Sequence, residues 1–304
     1  MKKNLAFAVL LALCATALAA TDKLVPAKRD MRANPPGKFL APGYYVPNAF
    51  NAETVTVACS DGYRLSGDAI RRRRLPMNQM PAILFLHEAG KDRRSWYPLT
   101  IQMAGRNYIS LAVDLRGCGE NPKLNDPNGK SLDKLPDSDV RKMLDDVRNA
   151  LSFLSMSPGV DPDRIGVIGS GLGASLALAA AAEPWGKNIQ VVIALSPRLD
   201  DHGYKAAEAA KNLGKTLVCL AASRGDATAF QESSAIYAAA AGPKEFFDAE
   251  GNATGVGLFG ARSAVPAKGD ETNPVFFALI PQWFYQGLIK DSLPLPPARK
   301  PKKH

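Results

Sequence analysis

The residues Gly169-Ser170-Gly171-Leu172-Gly173 join an apolar run, Arg164 to Ile168, to a small-residue stretch, Leu172 to Ala182. A strand, a glycine turn and a helix in that order present a reactive group or cradle a charged one. In a Gly-x-Ser-x-Gly turn the middle serine is the nucleophile, and small residues two positions to either side let the backbone pinch. Gly169 and Gly173 supply the small residues, but the middle position is Gly171, which carries no nucleophile. Centring the turn on Ser170 puts Ile168 and Leu172 at the pinch, and both are too large. Centring it on Ser175 moves the hydroxyl a turn inside the helix. The other reading is a dinucleotide loop, since Gly169-x-Gly171-x-x-Ala174 fits Gly-x-Gly-x-x-Gly/Ala. Such a loop needs a carboxylate about twenty residues on for the ribose, and the stretch Val192 to Ser196 offers none before Asp200. The turn also falls far from the first strand-helix-strand unit, so no dinucleotide is expected.

Other groups able to do chemistry are few. The chain has three histidines and four cysteines. His87 directly follows the apolar run Ala82 to Leu86, His202 lies in Asp200-Asp201-His202-Gly203, and His304 is the last residue. No His-x-x-x-His or Cys-x-x-Cys spacing occurs, so neither a metal nor another cofactor is expected. Cys59, Cys118 and Cys219 are too scattered for a disulfide framework, which leaves open one bridge with one free thiol.

The elements that must position these groups follow from periodicity. Glu53 to Cys59 alternates apolar and polar, Ser60-Asp61-Gly62 turns, and Tyr63 to Arg73 returns as the second strand of a hairpin. Ala82 to Leu86 and Tyr108 to Val113 are continuous apolar runs, as strands covered on both faces would be. Helices are expected from about Ser95 to Ala104, from Asp137 through Leu154, over Leu172 to Ala182, near Gln231 to Ala240 and over Pro274 to Ile289. Strands are expected at Arg164 to Ile168, Gln190 to Leu195, Thr216 to Ala221 and Lys244 to Asp248. This alternation predicts an α/β fold: a mostly parallel sheet with an antiparallel N-terminal hairpin and helices on both faces. The gap between residues 195 and 216 is too short for a large cap domain, so ligands should reach the carboxyl ends of the strands.

From about residue 53 to 260 the sequence resembles the α/β-hydrolase superfamily, in its dienelactone-hydrolase and serine-esterase-like branch. Leu84-Phe-Leu-His87-Glu-Ala-Gly90 resembles the His-Gly-x-Gly oxyanion segment, with Trp96 following. Asp114-Leu-Arg-Gly-Cys-Gly-Glu120 resembles the Asp-x-Arg-Gly-His-Gly segment, Ile168 to Ala174 the nucleophile elbow, and Leu195-Ser-Pro197 the segment after the sixth strand. The resemblance implies acyl transfer by a nucleophile, a histidine and an orienting carboxylate, with backbone N–H groups holding the oxyanion. It puts Gly171 at the nucleophile position, Asp226 at the acid position and Thr254, in Glu250-Gly-Asn-Ala-Thr-Gly255, at the histidine position. The oxyanion donors would be the N–H groups of Leu172 and Glu88, with His87 at the mouth. Glycine supplies no attacking atom and threonine cannot relay a proton near neutral pH. The residues therefore imply a pseudoenzyme that acts by binding a small-molecule ligand or a protein partner in the cleft. The alternative is a working esterase or peptidase-like hydrolase using Ser170 or Cys118 with His87 or His202. Glu88 weighs against hydrolysis, because a carboxylate beside an oxyanion hole repels the charge the hole would hold.

The ends carry separate signals. Met1 to Ala20 has a basic start, an apolar stretch and a small-x-small site at Ala17-Leu-Ala19, which reads as a secretory signal over residues 1–19. Export to the periplasm or outside the cell is the corresponding expectation. Residues 20–52 read as an extended arm, 53–290 as the α/β-hydrolase-like domain and 291–304 as a basic Pro/Lys-rich tail. The net charge is +9, with the excess concentrated in Arg71 to Arg74 and the tail. An anionic surface is the partner such a tail suits, and no nucleic acid is expected.

Overall fold

The computed structural model describes residues 38–41, 44–76, 78–126, 128–264 and 275–290. The leader reading over 1–19, the first part of the arm and the basic tail lie outside the described residues. So do the neighbours of the closing helix over 265–274.

Eight strands form one sheet: β1 (Phe50–Ala58), β2 (Arg64–Arg72), β3 (Met80–Leu86), β4 (Ile109–Val113), β5 (Val160–Ser170), β6 (Ile189–Leu195), β7 (Leu217–Ser223) and β8 (Lys244–Ala249). Their order is β1-β2-β4-β3-β5-β6-β7-β8. β2 is antiparallel to both its neighbours, and every other pairing is parallel. The antiparallel hairpin and the parallel remainder expected from the pattern are thus both present. The last part of the arm is a small hairpin of its own, Lys38–Ala41 against Tyr44–Val46, and β1 begins at Phe50 rather than Glu53. β5 is longer than the apolar run suggested. Met80 pairs with Val160 and Ala82 with Ile165, so Asp161-Pro162-Asp163 loops out of the ladder and reads as a turn in the sequence.

Period two along β3 divides the core. Ala82, Leu84 and Leu86 face one side, with α2 (Met143–Ser155), α3 (Leu172–Ala182) and α4 (Ala206–Lys211). Ile83 and Phe85 face the other, with α1 (Tyr97–Gly105) and α6 (Phe276–Tyr285). A strand that buries alternate residues against two layers reads as an unbroken apolar run, which is why β3 shows no alternation. α5 (Ala227–Ala239) follows β7 and joins the first layer through Ile236. Between β6 and β7 the chain adds only a hairpin, Asp200–Asp201 with Tyr204–Lys205, and the short α4. Among the described residues no large cap covers the strand ends. No helix among the described residues is long and apolar enough to cross a membrane.

A buried ionic network fixes the loop after β3, the one that carries Glu88. The Arg93 guanidinium bonds Asp68 (2.7 Å), Asp114 (2.5 Å) and Glu120 (2.9 Å). Tyr97 Oη and Thr54 Oγ1 donate to the same Asp68, 2.5 and 2.8 Å away. The Arg93 N–H donates to Asp114 Oδ1 (2.9 Å) and the Glu120 N–H to Asp114 Oδ2 (2.8 Å). Asp68, Arg93 and Asp114 are buried, so their charges persist there only because each meets its counterpart. The network ties the loops after β3 and β4 to β2. Cys59, Cys118 and Cys219 are all free and buried, which corrects the reading that left a bridge open: each packs in a different hydrophobic cluster.

Candidate functional site

β5 ends at Ser170, α3 begins at Leu172, and Gly171 between them has φ 52° and ψ −120°. An L-residue adopts that conformation only under strain, and glycine, without a Cβ, takes it freely. The turn is closely packed on both sides. A Cβ on Gly169 would lie 2.1 Å from the Gly173 carbonyl oxygen, and one on Gly173 would lie 2.2 Å from the Leu86 oxygen. Helix and strand therefore meet at the distance an elbow requires, with small residues at the pinch. The Leu172 N–H lies in the first turn of α3, where no intrahelical acceptor exists.

The space in front of this turn is occupied by the protein itself. A Cβ on Gly171 would stand 3.0 Å from Glu88 Cβ. Ser170 Oγ donates to Glu88 Oε2 over 3.2 Å. From the far side Gly255 closes in, so near that a Cβ there would fall 2.2 Å from Glu88 Oε2 and 2.4 Å from Ser170 Oγ. Gly255 is held by its N–H, which donates to Ser196 Oγ (3.1 Å). Its turn is pinned by Phe259 against Trp96, ring centroids 5.8 Å apart. Glu88, flagged in the sequence as out of place beside an oxyanion hole, thus turns its carboxylate inward.

Burial pushes the Glu88 carboxyl above its ordinary value, against the opposing pull of the Ser170 hydrogen bond and the Lys91 charge. A carboxyl with a raised folded-state pKa holds its proton more tightly folded than unfolded, so stability falls as pH rises through that window. The window opens near the unfolded value of about 4.3 and closes above the raised folded one. Glu88→Gln removes this dependence. Urea unfolding across the pH range should show the variant gaining on the wild type between acid and neutral pH, with no gain below the window. A pH-independent difference would contradict the inward placement of the carboxylate.

The remaining predicted residues are spread differently. His87 is buried; its Nδ1 lies 2.7 Å from the Glu88 carbonyl oxygen, and its Nε2 accepts the Leu115 N–H over 2.8 Å. Accepting at Nε2 puts the ring proton on Nδ1, which donates to the carbonyl. Burial lowers the ring's pKa, so a neutral imidazole with both nitrogens occupied ties β3's end to β4's end. Asp226 begins α5, and its Oδ1 accepts the Ala229 N–H (3.0 Å), an N-cap. Thr254 is exposed at the start of the 255–260 turn. Its neighbour Gly255, not singled out in the sequence, is the residue that lies against Glu88 and Ser170. The motif gave no signal for Gly255, because register in that loop is set by packing of Phe259 and Leu258 and not by a spacing rule.

Beside the turn, an open pocket of about 610 Å³ is lined by Gly90, Lys91, Gly117, Cys118, Asp133 and His202, among others. It gathers the loops that follow β3, β4 and β6, at the carboxyl edge of the sheet. Burial pushes the Cys118 thiol up to about 11, so it is protonated at neutral pH. His202 Nε2 stands 3.8 Å from Asp201 Oδ1. Gly171, Leu172, Asp226 and Thr254 do not line this pocket.

The sequence model of the alpha/beta hydrolase family matches residues 83–300. Among curated proteins, the uncharacterized protein YfhR of Salmonella typhimurium is 26% identical over 140 residues, covering 45% of this chain and 42% of its own length. The polyketide transferase ATR5 of Stachybotrys chlorohalonatus is 39% identical over 95 residues, 31% of this chain and 28% of its own. The chain thus spans less than half the length of these relatives. Among solved structures, the dienelactone hydrolase of Anabaena variabilis superposes with a TM-score of 0.59 at 17% identity, covering 79% of this chain and 99% of that one. A dienelactone hydrolase-like protein of Klebsiella pneumoniae gives 0.56 at 17%, covering 78% and 99%. At that identity the likeness is one of fold. The sequence match starts inside β3 and runs through the turn at Gly171 to beyond α6, and the chain belongs to the alpha/beta hydrolase family.

Proposed function

We propose that this member of the family does not hydrolyse esters or peptides and acts instead by binding. The observation that carries the reading is the occupant of the elbow. Position 171 has no nucleophile, and the Glu88 carboxylate, bonded to Ser170 and covered by Gly255, fills the space before it. A negative charge there opposes the oxyanion that acyl transfer must build up. Neither nitrogen of His87 is free to serve as a base, and Asp226 is engaged as a helix cap. Cys118 lacks thiolate character at neutral pH, and the thiolate is the nucleophilic form. The binding role falls to the pocket beside the turn, whose lining of Lys91, Asp133 and His202 around Cys118 suits a small polar molecule. The leader reading would place this activity outside the cytoplasm.

Two measurements test the reading. Covalent labelling by a fluorophosphonate probe reports on catalysis. A thermal-shift screen of small polar compounds reports on binding, since a ligand at a hundred times its Kd stabilises by about 2.7 kcal/mol. The expected hit loses its shift in His202→Trp, which fills the pocket mouth. A hit whose shift survives His202→Trp assigns binding elsewhere and removes the pocket from the proposal.

A further inference from the structure

We propose that the end of the domain opposite the elbow docks on an anionic phospholipid surface. β2 runs out through Arg71, Arg72, Arg73 and Arg74, and Ile70 pairs with Ser110, which sets this run level with the start of β4. Arg72 donates to the Gly105 carbonyl oxygen (2.9 Å) and Arg73 to that of Asn48 (2.9 Å). Arg106 is the next residue after Gly105 and is exposed. None of these five guanidiniums has a carboxylate within ion-pair distance among the described residues, whereas Arg164 nearby is matched by Asp161 (2.6 Å). Asp163, Glu53, Glu183 and Glu245 also lie toward this end of the strands. Asn51 Nδ2 donates to Glu53 Oε1 (2.5 Å), two residues from the strand position facing Arg71.

Two further features share this end. Tyr108, at the head of β4, has Arg106, Arg164 and Tyr285 as its charged and titratable neighbours, and Tyr285 is 48% exposed. Tyr285 thus stands beside the buried Tyr108 at the end that carries these arginines, and exposed tyrosine together with basic residues is found where proteins meet a headgroup region. The last described residues lie here as well. Gly287 lies against Val191, near the start of β6, and the sequence continues past Lys290 with Arg299, Lys300, Lys302 and Lys303. The folded basic face supplies the electrostatic contact to the anionic surface. The aromatic residue and the leader reading favour lipid over a nucleic acid. The inference is independent of the proposed function, since the face lies at the other end of the strands.

The test is cosedimentation of the full chain with phosphatidylglycerol-containing phosphatidylcholine vesicles against pure phosphatidylcholine vesicles. The variant carries Arg71→Glu, Arg74→Glu and Arg106→Glu, which spare the two arginines bonded to carbonyl groups. Any contribution of the N-terminal residues is common to wild type and variant. Wild type should bind the anionic vesicles and release them as salt is raised. At about fivefold in affinity per basic residue near the surface, the triple variant should bind at least a hundredfold more weakly. Near-UV circular dichroism checks its fold, and the Arg→Gln triple replaces it if it unfolds. Equal binding to pure phosphatidylcholine overturns the proposal, as does unchanged binding of the variant. Displacement from vesicles by duplex DNA at lower concentration than by soluble phosphatidylglycerol assigns the face to a nucleic acid and overturns it too.

Discussion

Purified protein is expected to leave p-nitrophenyl acetate hydrolysis at its buffer rate and to emerge from fluorophosphonate treatment with unchanged mass. Enzymes of this kind accelerate by about 10⁶-fold or more over the uncatalysed reaction. With nucleophile and base gone, an intact oxyanion site still leaves roughly 10³–10⁴-fold over water. On the proposed reading the Glu88 carboxylate, bonded to Ser170 beside the turn, removes that remainder as well. Gly171→Ser alone should not restore labelling, since no histidine stands ready to take the proton. It should also cost about 1–3 kcal/mol, from the φ of 52° and ψ of −120° that a serine would have to adopt, plus crowding by Glu88. Pairing it with Glu88→Gly and a histidine at 254 or 255 tests whether the fold still supports the chemistry. Wild-type turnover abolished by Ser170→Ala, or an adduct mapped to Ser170 or Cys118, would sink the binding-only reading.

The second large effect is expected where no chemistry is involved. Gly173→Ala should destabilise the protein severely, at or beyond the upper end of the ~1–3 kcal/mol range for overpacking. Its Cβ would lie 2.2 Å from the Leu86 oxygen and 2.6 Å from the His87 oxygen, both backbone atoms of β3's end. Gly169→Ala meets the Gly173 carbonyl at 2.1 Å and should be comparably harmful. Gly171→Ala meets only the Glu88 side chain at 3.0 Å, so its loss should be the smallest of the three. Urea denaturation of the three variants gives the ranking directly. A Gly173→Ala midpoint equal to wild type would mean that the pinch between α3 and β3 is far looser than the structure has it. The ranking separates two roles of one motif. The flanking glycines let α3 sit against the sheet, and the middle position is the one that the family resemblance assigns to an attacking atom.

Much of this was legible in the sequence. Strands buried on both faces announce themselves as apolar runs, and β3, β4, β6 and β7 were found for that reason. α3 was found because Gly171 stops β5 and a small-residue run follows. The helix preceding β5 was expected as one piece from Asp137. It breaks into a turn at Asp137–Val140 and α2 from Met143, because apolar spacing marks the buried face without marking a kink. The site was only half legible. Gly171 and Glu88 could be named from motif position, but which way the Glu88 carboxylate points depends on Ser170 and Gly255, residues 82 and 167 positions away along the chain. Thr254 takes the histidine position only by counting along the motif, and counting fixes a residue's place more tightly on a strand-turn-helix than in a loop. There the register belongs to whichever side chains are buried, here Leu258 and Phe259. Nothing in the spacing of Asp68, Arg93, Asp114 and Glu120 says that β2 and the loops after β3 and β4 meet around one guanidinium.

The sequence by itself determined the sheet, the family resemblance and the absence of a nucleophile at position 171, because each is written in local pattern and residue type. Only the tertiary structure decided that His87 is a tie between β3 and β4 and that Asp226 caps a helix. It alone decided that Glu88 turns its carboxylate onto Ser170 and against Gly255. Those outcomes are set by contacts between distant segments, where burial and hydrogen bonding choose a side chain's partner, and no local rule carries that choice.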